Sequence, residues 1–357
     1  MEMDSWELIA SKISQKILHS LIPDVWRGTV KAIFERSLNV EMKGDFLIQV
    51  GSDSLPLTPR SILLPEEDFY KRILPVCFLG QPVFIEKGFM FLGQIKMNLF
   101  HPQTRHYDPR LDLAGGLCHP SEILNHLIGA LRGIEETRQK RGEPSFSLFR
   151  SYFLYRIFMI PKPRFDQLAG SRLLSGENAR SAQMKSALWK KADGFLDAMS
   201  RKDWVKILEF ARGLIGLGPG LTPSGDDFLA GFITAGAIWR RHSKDSKGLQ
   251  EAASIAAGMI REEAAGRTTS VSLAMLADAV NGEVPEPVKH FLRSVIQTGD
   301  GREICFWSGE ISRIGSSSGE DLLNGLASGI LFFQSWVVPS EGVECYFKNR
   351  CFPFLGS

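Results

Sequence analysis

Gly216-Leu217-Gly218-Pro219-Gly220-Leu221-Thr222-Pro223-Ser224-Gly225-Asp226-Asp227 is the stretch on which the reading of this chain turns. It leads into the apolar run Phe228-Leu229-Ala230-Gly231. Its closing phrase returns as Ser318-Gly319-Glu320-Asp321-Leu322-Leu323-Asn324-Gly325. Closely spaced glycines permit positive φ and a close approach of backbone to a ligand. Pro219 and Pro223 restrict the loop before it meets anything. A Gly/Ser-rich loop opening a helix aims backbone N–H groups at a small anion. Two such copies facing one cavity would take a doubly anionic metabolite.

Each copy also reads as an ordinary capped helix. Ser224 with Asp227, and Ser318 with Asp321, have capping-box spacing with Asp in place of Glu. Acids in a first turn suit the helix dipole by about 0.3–1 kcal/mol each. Capping leaves Gly225 and Gly319 unexplained, since Gly weakens a helix by about 0.5–1 kcal/mol relative to Ala. Something must press against them, and a ligand is the expectation. The acids have several roles open to them. Asp226, Asp227 and Glu320 suit Mg²⁺ as oxygen ligands. They could equally hold the loop or orient a substrate's amide nitrogen. Carboxylates beside an anion repel it, so some must turn away or carry a cation.

Between the copies, Arg261-Glu262-Glu263-Ala264-Ala265-Gly266-Arg267-Thr268-Thr269-Ser270 ends one helix at Gly266 and starts another. Thr268 or Thr269 is its N-cap. Arg267 suits either a bidentate grip on a carboxylate or phosphate or the favourable end of a helix dipole.

Outward from these motifs the chain divides by texture. Helical periodicity predicts helices over 178–200, 202–214, 225–240, 248–265, 269–281, 287–297 and 319–336, with another opening at Pro120 and a charged break from Arg138. Residues 6–21 have near-helical spacing. Beyond Pro23, Lys43-Gly44-Asp45 and Lys87-Gly88 mark two hairpins, the first between strands 29–40 and 46–50, the second between 83–86 and 89–97. The fold class is α+β: a β-rich N-terminal domain over 1–165 followed by a mainly helical domain over 166–357. The boundary is expected near 161–180, and the tail 337–357 is expected as a strand.

The chain has 357 residues, 44% hydrophobic, 23% charged, with a formal charge of +2 and five cysteines. The balance leaves no basic footprint for nucleic acid, and no apolar run approaches the ~20 residues of a membrane span. Scattered cysteines suggest a reducing cytoplasm. Cys118, His119 and His126 lack zinc-site spacing. The G-x-S-x-G string Gly315 to Gly319 follows no expected strand and is no nucleophile elbow, and Walker A and post-strand G-x-G-x-x-G patterns do not occur.

The string Gly218 to Asp227, with Leu229 and Gly231, resembles the AllH-type family, long catalogued as a domain of unknown function. Arg267-Thr268-Thr269 and Ser318-Gly319 with Asp321 follow the same pattern, and the likeness spans residues 205–330. The family's best-known member is a subunit of the three-subunit oxamate carbamoyltransferase of anaerobic allantoin catabolism. The resemblance implies carbamoyl transfer between phosphate and oxamate, with oxalurate as partner substrate, in a complex with other subunits. Gly218, Gly220, Thr222, Ser224, Gly225, Ser318, Gly319 and Asp321 would then bind small anions. Arg267, Thr268 and Thr269 would stabilise charge at the carbonyl oxygen. Asp226 or Asp227 would position the attacking nitrogen or a metal. Two other readings stand beside it: a standalone Mg²⁺-dependent hydrolase of a phosphate- or ribose-bearing metabolite, and a non-catalytic metabolite-binding subunit.

Overall fold

Two turns with positive φ set the pairing of the N-terminal strands. A computed structural model describes residues 7–21, 25–113, 118–141, 147–150, 152–154, 179–242, 254, 257–258 and 260–337. Gly44 and Asp45, at φ +85° and +60°, would strain most L residues. They reverse β4 (Ser37–Met42) into β5 (Phe46–Ser52), with Met42 opposite Phe46. Lys87 and Gly88 reverse β7 (Pro82–Glu86) into β8 (Phe89–Leu92). Both expected hairpins are present. The remaining strands are β1 (Glu7–Ile9), β2 (Lys12–Ser14), β3 (Trp26–Ile33), β6 (Ser61–Leu64), β9 (Ile95–Asn98) and β10 (Arg105–Tyr107). They form one ten-stranded sheet in the order β1-β9-β8-β7-β3-β4-β5-β6-β2-β10.

Three expectations change here. Residues 6–21 are not one helix: β1 and β2 precede the short helix α1 (Gln15–Leu21). Leu8, Ala10 and Ile13 are buried, and β1 pairs with β9 while β2 lies between β6 and β10. Short apolar runs carry no periodicity that separates strand from helix, so the sheet partners decide. The stretch 29–40 is two strands, β3 and β4, paired antiparallel. The stretch 89–97 likewise breaks at Gly93 into β8 and β9.

The chain divides into two compact units, residues 1–111 with 283–289, and residues 112–282 with 290–357. Residues 283–289 are anchored in the first unit by named contacts. The Arg105 guanidinium grips both oxygens of Glu286 at 2.7 Å each. Tyr107 donates from its hydroxyl to the Val284 carbonyl at 2.8 Å, and Glu286 N–H donates to Leu57 O at 2.8 Å. The expected boundary segment, over 161–178, and the tail 338–357 lie outside the described residues, as does most of the expected helix over 248–265.

The second unit is helical: α2 (Pro120–Arg141), α3 (Ala179–Ser200), α4 (Trp204–Leu214), α5 (Ser224–His242), α6 (Ser270–Asn281), α7 (Glu286–Arg293, shared across the division), α8 (Gly301–Ser312) and α9 (Ser318–Val337). Helix α2 runs through Arg138 to Arg141, where a charged break was expected. Helix α8 was not foreseen. Gly299-Asp300-Gly301 reads as a loop, yet Asp300 is an N-cap that accepts from Arg302 N–H at 2.8 Å.

The two motif helices, α5 and α9, pack together through glycine. A Cβ on Gly231 would overlap the Leu322 carbonyl oxygen, and one on Gly325 would overlap the Phe228 carbonyl oxygen. The contact is thus reciprocal and backbone to backbone. Phe149 stacks on Phe228 with ring centroids 4.4 Å apart, and Phe232 meets Phe195 edge-on at 5.0 Å. Gly231→Ala and Gly325→Ala are expected to destabilise the chain by about 1–3 kcal/mol each, since the helices must separate. Gly129→Ala, on an exposed and uncrowded position of α2, is expected to stabilise by about 0.5–1 kcal/mol. Chemical denaturation of the three variants checks the contrast.

Candidate functional site

The loop before α5 is held by its own acids. Gly216, Gly218 and Gly220 adopt φ of +71°, +134° and +93°. A Cβ on Gly216 would strike the Arg267 carbonyl, and one on Gly218 the Ser224 nitrogen, whereas Gly220 faces open space. Asp226 Oδ1 accepts from Gly216 N–H at 2.9 Å, and Asp226 Oδ2 accepts from the Thr268 hydroxyl. Thr269 caps α6 by accepting from Ser272 N–H at 3.1 Å, as expected for one of the two threonines, and donates to Leu221 O at 2.5 Å. Asp226 and the threonine pair therefore clamp the loop to the start of α6. Burial raises the Asp226 carboxyl above its ordinary range, opposed by these hydrogen bonds.

The serines do not cap their own helices. Asp226 and Asp227 N–H donate to Pro223 O at 2.9 and 3.1 Å, and Asp321 N–H donates to Ser317 O at 3.0 Å. Each helix thus begins at its serine, and the capping-box reading gives way to a crossed arrangement. The hydroxyls of Ser318 and Thr222 face the Asp227 carboxyl, and Ser224 faces that of Asp321, without well-aligned bonds. Thr222 Oγ1 and Ser318 Oγ lie 2.5 Å apart, linking the two copies directly. Asp321 also accepts from the Ser147 hydroxyl and, at 2.9 Å, from Phe149 N–H.

Both carboxyls are fully buried. Burial, then the neighbouring Asp321 charge, raises Asp227 well above the ordinary carboxylate range. Burial raises Asp321 to about 7 against its hydrogen-bond donors. Two carboxyls in such a site do not both ionise readily near neutrality.

Gly225 and Gly319 are pressed by protein, not by ligand. A Cβ on Gly225 would overlap the Leu214 carbonyl oxygen at the end of α4, and one on Gly319 the Ile311 carbonyl oxygen in α8. Gly225 N–H donates to Leu217 O at 2.9 Å and Gly319 N–H to Ile314 O at 3.0 Å. Neither amide is left to an anion. Among the described residues, the N–H groups of Gly218, Gly220, Leu221 and Thr222 donate to no protein group. These N–H groups lie along the loop rim, where Gly220 and Leu221 are exposed.

Two expected residues lie apart from the crossed pair. The exposed Arg267 guanidinium pairs with Glu263 at 3.7 Å, and Glu263 is itself held by Arg212 at 2.6 Å. Glu320 pairs with Arg138. Asp226, Asp227 and Glu320 therefore have separate partners, and among the described residues no group of three or more His, Cys, Asp or Glu is placed to hold a metal. Ser147 and Arg138 were missed by motif reading. Their sequence signals are faint: Glu135 and Arg138 at helical i,i+3 spacing, and a hydroxyl just before an aromatic run.

A model described as oxamate carbamoyltransferase subunit AllH matches residues 214–330, and one described as AllH family N-terminal domain matches residues 9–104. The chain belongs to the AllH family. No curated protein and no solved structure matches it. The first AllH match takes in the whole loop, both helix starts and the Arg267-Thr268-Thr269 turn. The second takes in most of the sheet, from Ile9 in β1 to Thr104 before β10. No helix among the described residues is long and apolar enough to cross a membrane.

The buried pair gives a sign for pH dependence. A carboxyl whose folded pKa lies above its unfolded value binds its proton more tightly when folded, so stability falls as pH rises from the unfolded to the folded value. For Asp321 that window runs from the ordinary carboxyl value of 3.8 to about 7, and Asp227 acts in the same direction. The melting temperature is expected to fall between pH 4 and pH 7. Asp321→Asn keeps a carbonyl acceptor for Ser147 and Phe149 and removes the ionisation, so its fall is expected to be smaller. A wild-type melting temperature that rises over this window overturns the assignment.

Proposed function

We propose that this AllH-family chain serves as a subunit of an oxamate carbamoyltransferase and that its 218–222 loop binds the anionic substrates. The relevant reaction moves a carbamoyl group between phosphate and the oxamate nitrogen, with carbamoyl phosphate and oxalurate as the two carbamoyl carriers, in the breakdown of allantoin. The observation that carries the site reading is the loop rim. Several undonated N–H groups stand there beside the linked hydroxyls of Thr222 and Ser318. Oriented donors of this kind stabilise charge as it develops on a carbonyl or phosphoryl oxygen.

The crossed pair answers the repulsion that four acids would otherwise create. Asp226 is committed to Gly216 and Thr268, Glu320 to Arg138, and burial disfavours charge on Asp227 and Asp321. Arg267 has its backbone against Gly216. Its exposed pair with Glu263, at 3.7 Å, is screened by solvent and inexpensive to break. Its role in the proposal is to leave Glu263 and close on a bound carboxylate. The family description as a subunit supports partner chains that supply the rest of the active site.

The test is phosphorolysis of oxalurate by the assembled subunits. Thr222→Val is expected to keep the melting temperature within a few degrees and to lower kcat/KM at least tenfold, because a rim donor is lost. Unchanged kcat/KM removes the loop from the substrate site. Full activity from the partner subunits without this chain overturns the subunit role itself.

A further inference from the structure

The glycine seam between α5 and α9 lies some way from the helix starts that it brings together. Gly231 and Gly325 each stand seven residues beyond the serine of their copy, about 10 Å along a helix axis. Nearer the starts, Gly225 presses against the end of α4 and Gly319 against α8. Those contacts tie each start to a different helix and not to the other start. Thr222 Oγ1 and Ser318 Oγ nevertheless meet at 2.5 Å, a contact that a small change in crossing angle would lose.

A segment from outside both copies spans them. The Ser147 hydroxyl and, at 2.9 Å, the Phe149 N–H both donate to Asp321 Oδ1. The Phe149 ring stacks on Phe228, the residue after Asp227, at 4.4 Å between centroids. Further along, Phe153 N–H donates to Asn324 Oδ1 at 3.2 Å, and Asn324 Nδ2 donates to Glu320 O at 2.8 Å. The segment is itself anchored on α3: Trp189 Nε1 donates to Leu148 O at 2.9 Å, and the Tyr152 hydroxyl donates to Asp193 at 2.8 Å. Ser147, Phe149, Tyr152 and Phe153 are all buried. The two copies of the motif are unequal here. Asp321 takes two donors from the segment, whereas both oxygens of Asp227 are without a hydrogen-bond partner. Asn324 has Ala230 as its counterpart in the first copy, a residue whose side chain accepts nothing.

We propose that Ser147 is a positioning residue: through Asp321 it holds the first turn of α9, and with it the Ser318 hydroxyl, against Thr222. A buried acceptor that loses a donor bears the full cost of its desolvation, so the Ser147 hydroxyl constrains where the Asp321 carboxyl lies. Two donors on one oxygen leave that carboxyl little freedom. Asp321 and Ser318 stand three residues apart, the spacing of neighbours on one helix face. Asp321 N–H also donates to Ser317 O at 3.0 Å, so a displaced carboxyl pulls on the turn that carries Ser318. Ser147 thus acts on the rim without touching a substrate. Its effect on the reaction rests on the reading of the 218–222 loop as the substrate site; its effect on the placement of Ser318 does not.

Oxidative crosslinking of the full chain carrying Thr222→Cys and Ser318→Cys reads the placement directly, with the linked peptides told from those of the native cysteines by mass spectrometry. Adding Ser147→Ala is expected to slow the crosslink about tenfold, the scale of one hydrogen bond to a charged group. Ser147→Thr, which keeps the hydroxyl, is expected to restore most of the rate. Tyr152→Phe removes a hydrogen bond of the same segment that goes to α3, and is expected to leave the rate unchanged. Asp321→Ala is expected to match Ser147→Ala and decides the matter should that variant not fold. In the assembled subunits, Ser147→Ala is expected to lower kcat/KM for oxalurate phosphorolysis, and to lower it no further in a Thr222→Val chain, because the one residue acts through the other. Additive losses overturn the inference. So does a crosslink unchanged in folded Ser147→Ala, or slowed equally by Tyr152→Phe. Full kcat/KM in Thr222→Val, beside a crosslink that still depends on Ser147, overturns the loop reading and upholds the placement of Ser318 by Ser147.

Discussion

Two helices touching through bare backbone hold the second unit together. Where Gly231 meets the Leu322 carbonyl and Gly325 meets the Phe228 carbonyl, no side chain intervenes. Close approach brings the first turns of α5 and α9 side by side, and that alone places Asp227 against Asp321 and Thr222 against Ser318. The repeated phrase is therefore a paired structural device. Its glycines set the helix spacing, and its serines and aspartates, facing across the pair, fill the polar space that this spacing leaves. A larger residue at either packing glycine would open the seam and separate the groups at its end.

The same packing governs the electrostatics. A carboxyl at an exposed helix start gains from the dipole and keeps its water. Asp227 and Asp321 have lost that water, so burial dominates both groups and the second charge compounds the cost. Among the described residues the groups facing them are hydroxyls and an amide: Ser318 and Thr222 on one side, Ser224, Ser147 and Phe149 N–H on the other. Burial together with the mutual repulsion of the two charges disfavours ionising both groups at once.

Much of this was legible in the residues, and the rest fails for identifiable reasons. Lys43-Gly44-Asp45 and Lys87-Gly88 announced their hairpins because turn chemistry is local. The α+β division followed from the change in periodicity, and both motif helices start where the repeat said they would. Residues 6–21 misled because three-residue strands have no periodicity of their own and depend on β9, β6 and β10. Gly225 and Gly319 were read as having something against them, which is correct. That something is the carbonyl of a preceding helix, which only tertiary structure reveals. The crossed Ser–Asp contacts escaped for the same reason: the serine and aspartate of one copy have capping-box spacing, and nothing local shows that each prefers the other copy.

Four acids gather at the two helix starts, and each is accounted for by a named partner or by burial. Asp226 spends its charge on Gly216 and Thr268 and so shapes the loop. Glu320 turns to Arg138 on the opposite flank of α9. Asp227 and Asp321 are held where ionisation is disfavoured. The rim at Gly218–Thr222 is thereby left with N–H dipoles and hydroxyls. Arg267 stands apart, on an exposed pair with Glu263. The rim amides are fixed donors, stiffened by Pro219 and Pro223 and clamped to the start of α6 by Asp226, whereas the Arg267 guanidinium is held only by an exposed ion pair that solvent screens.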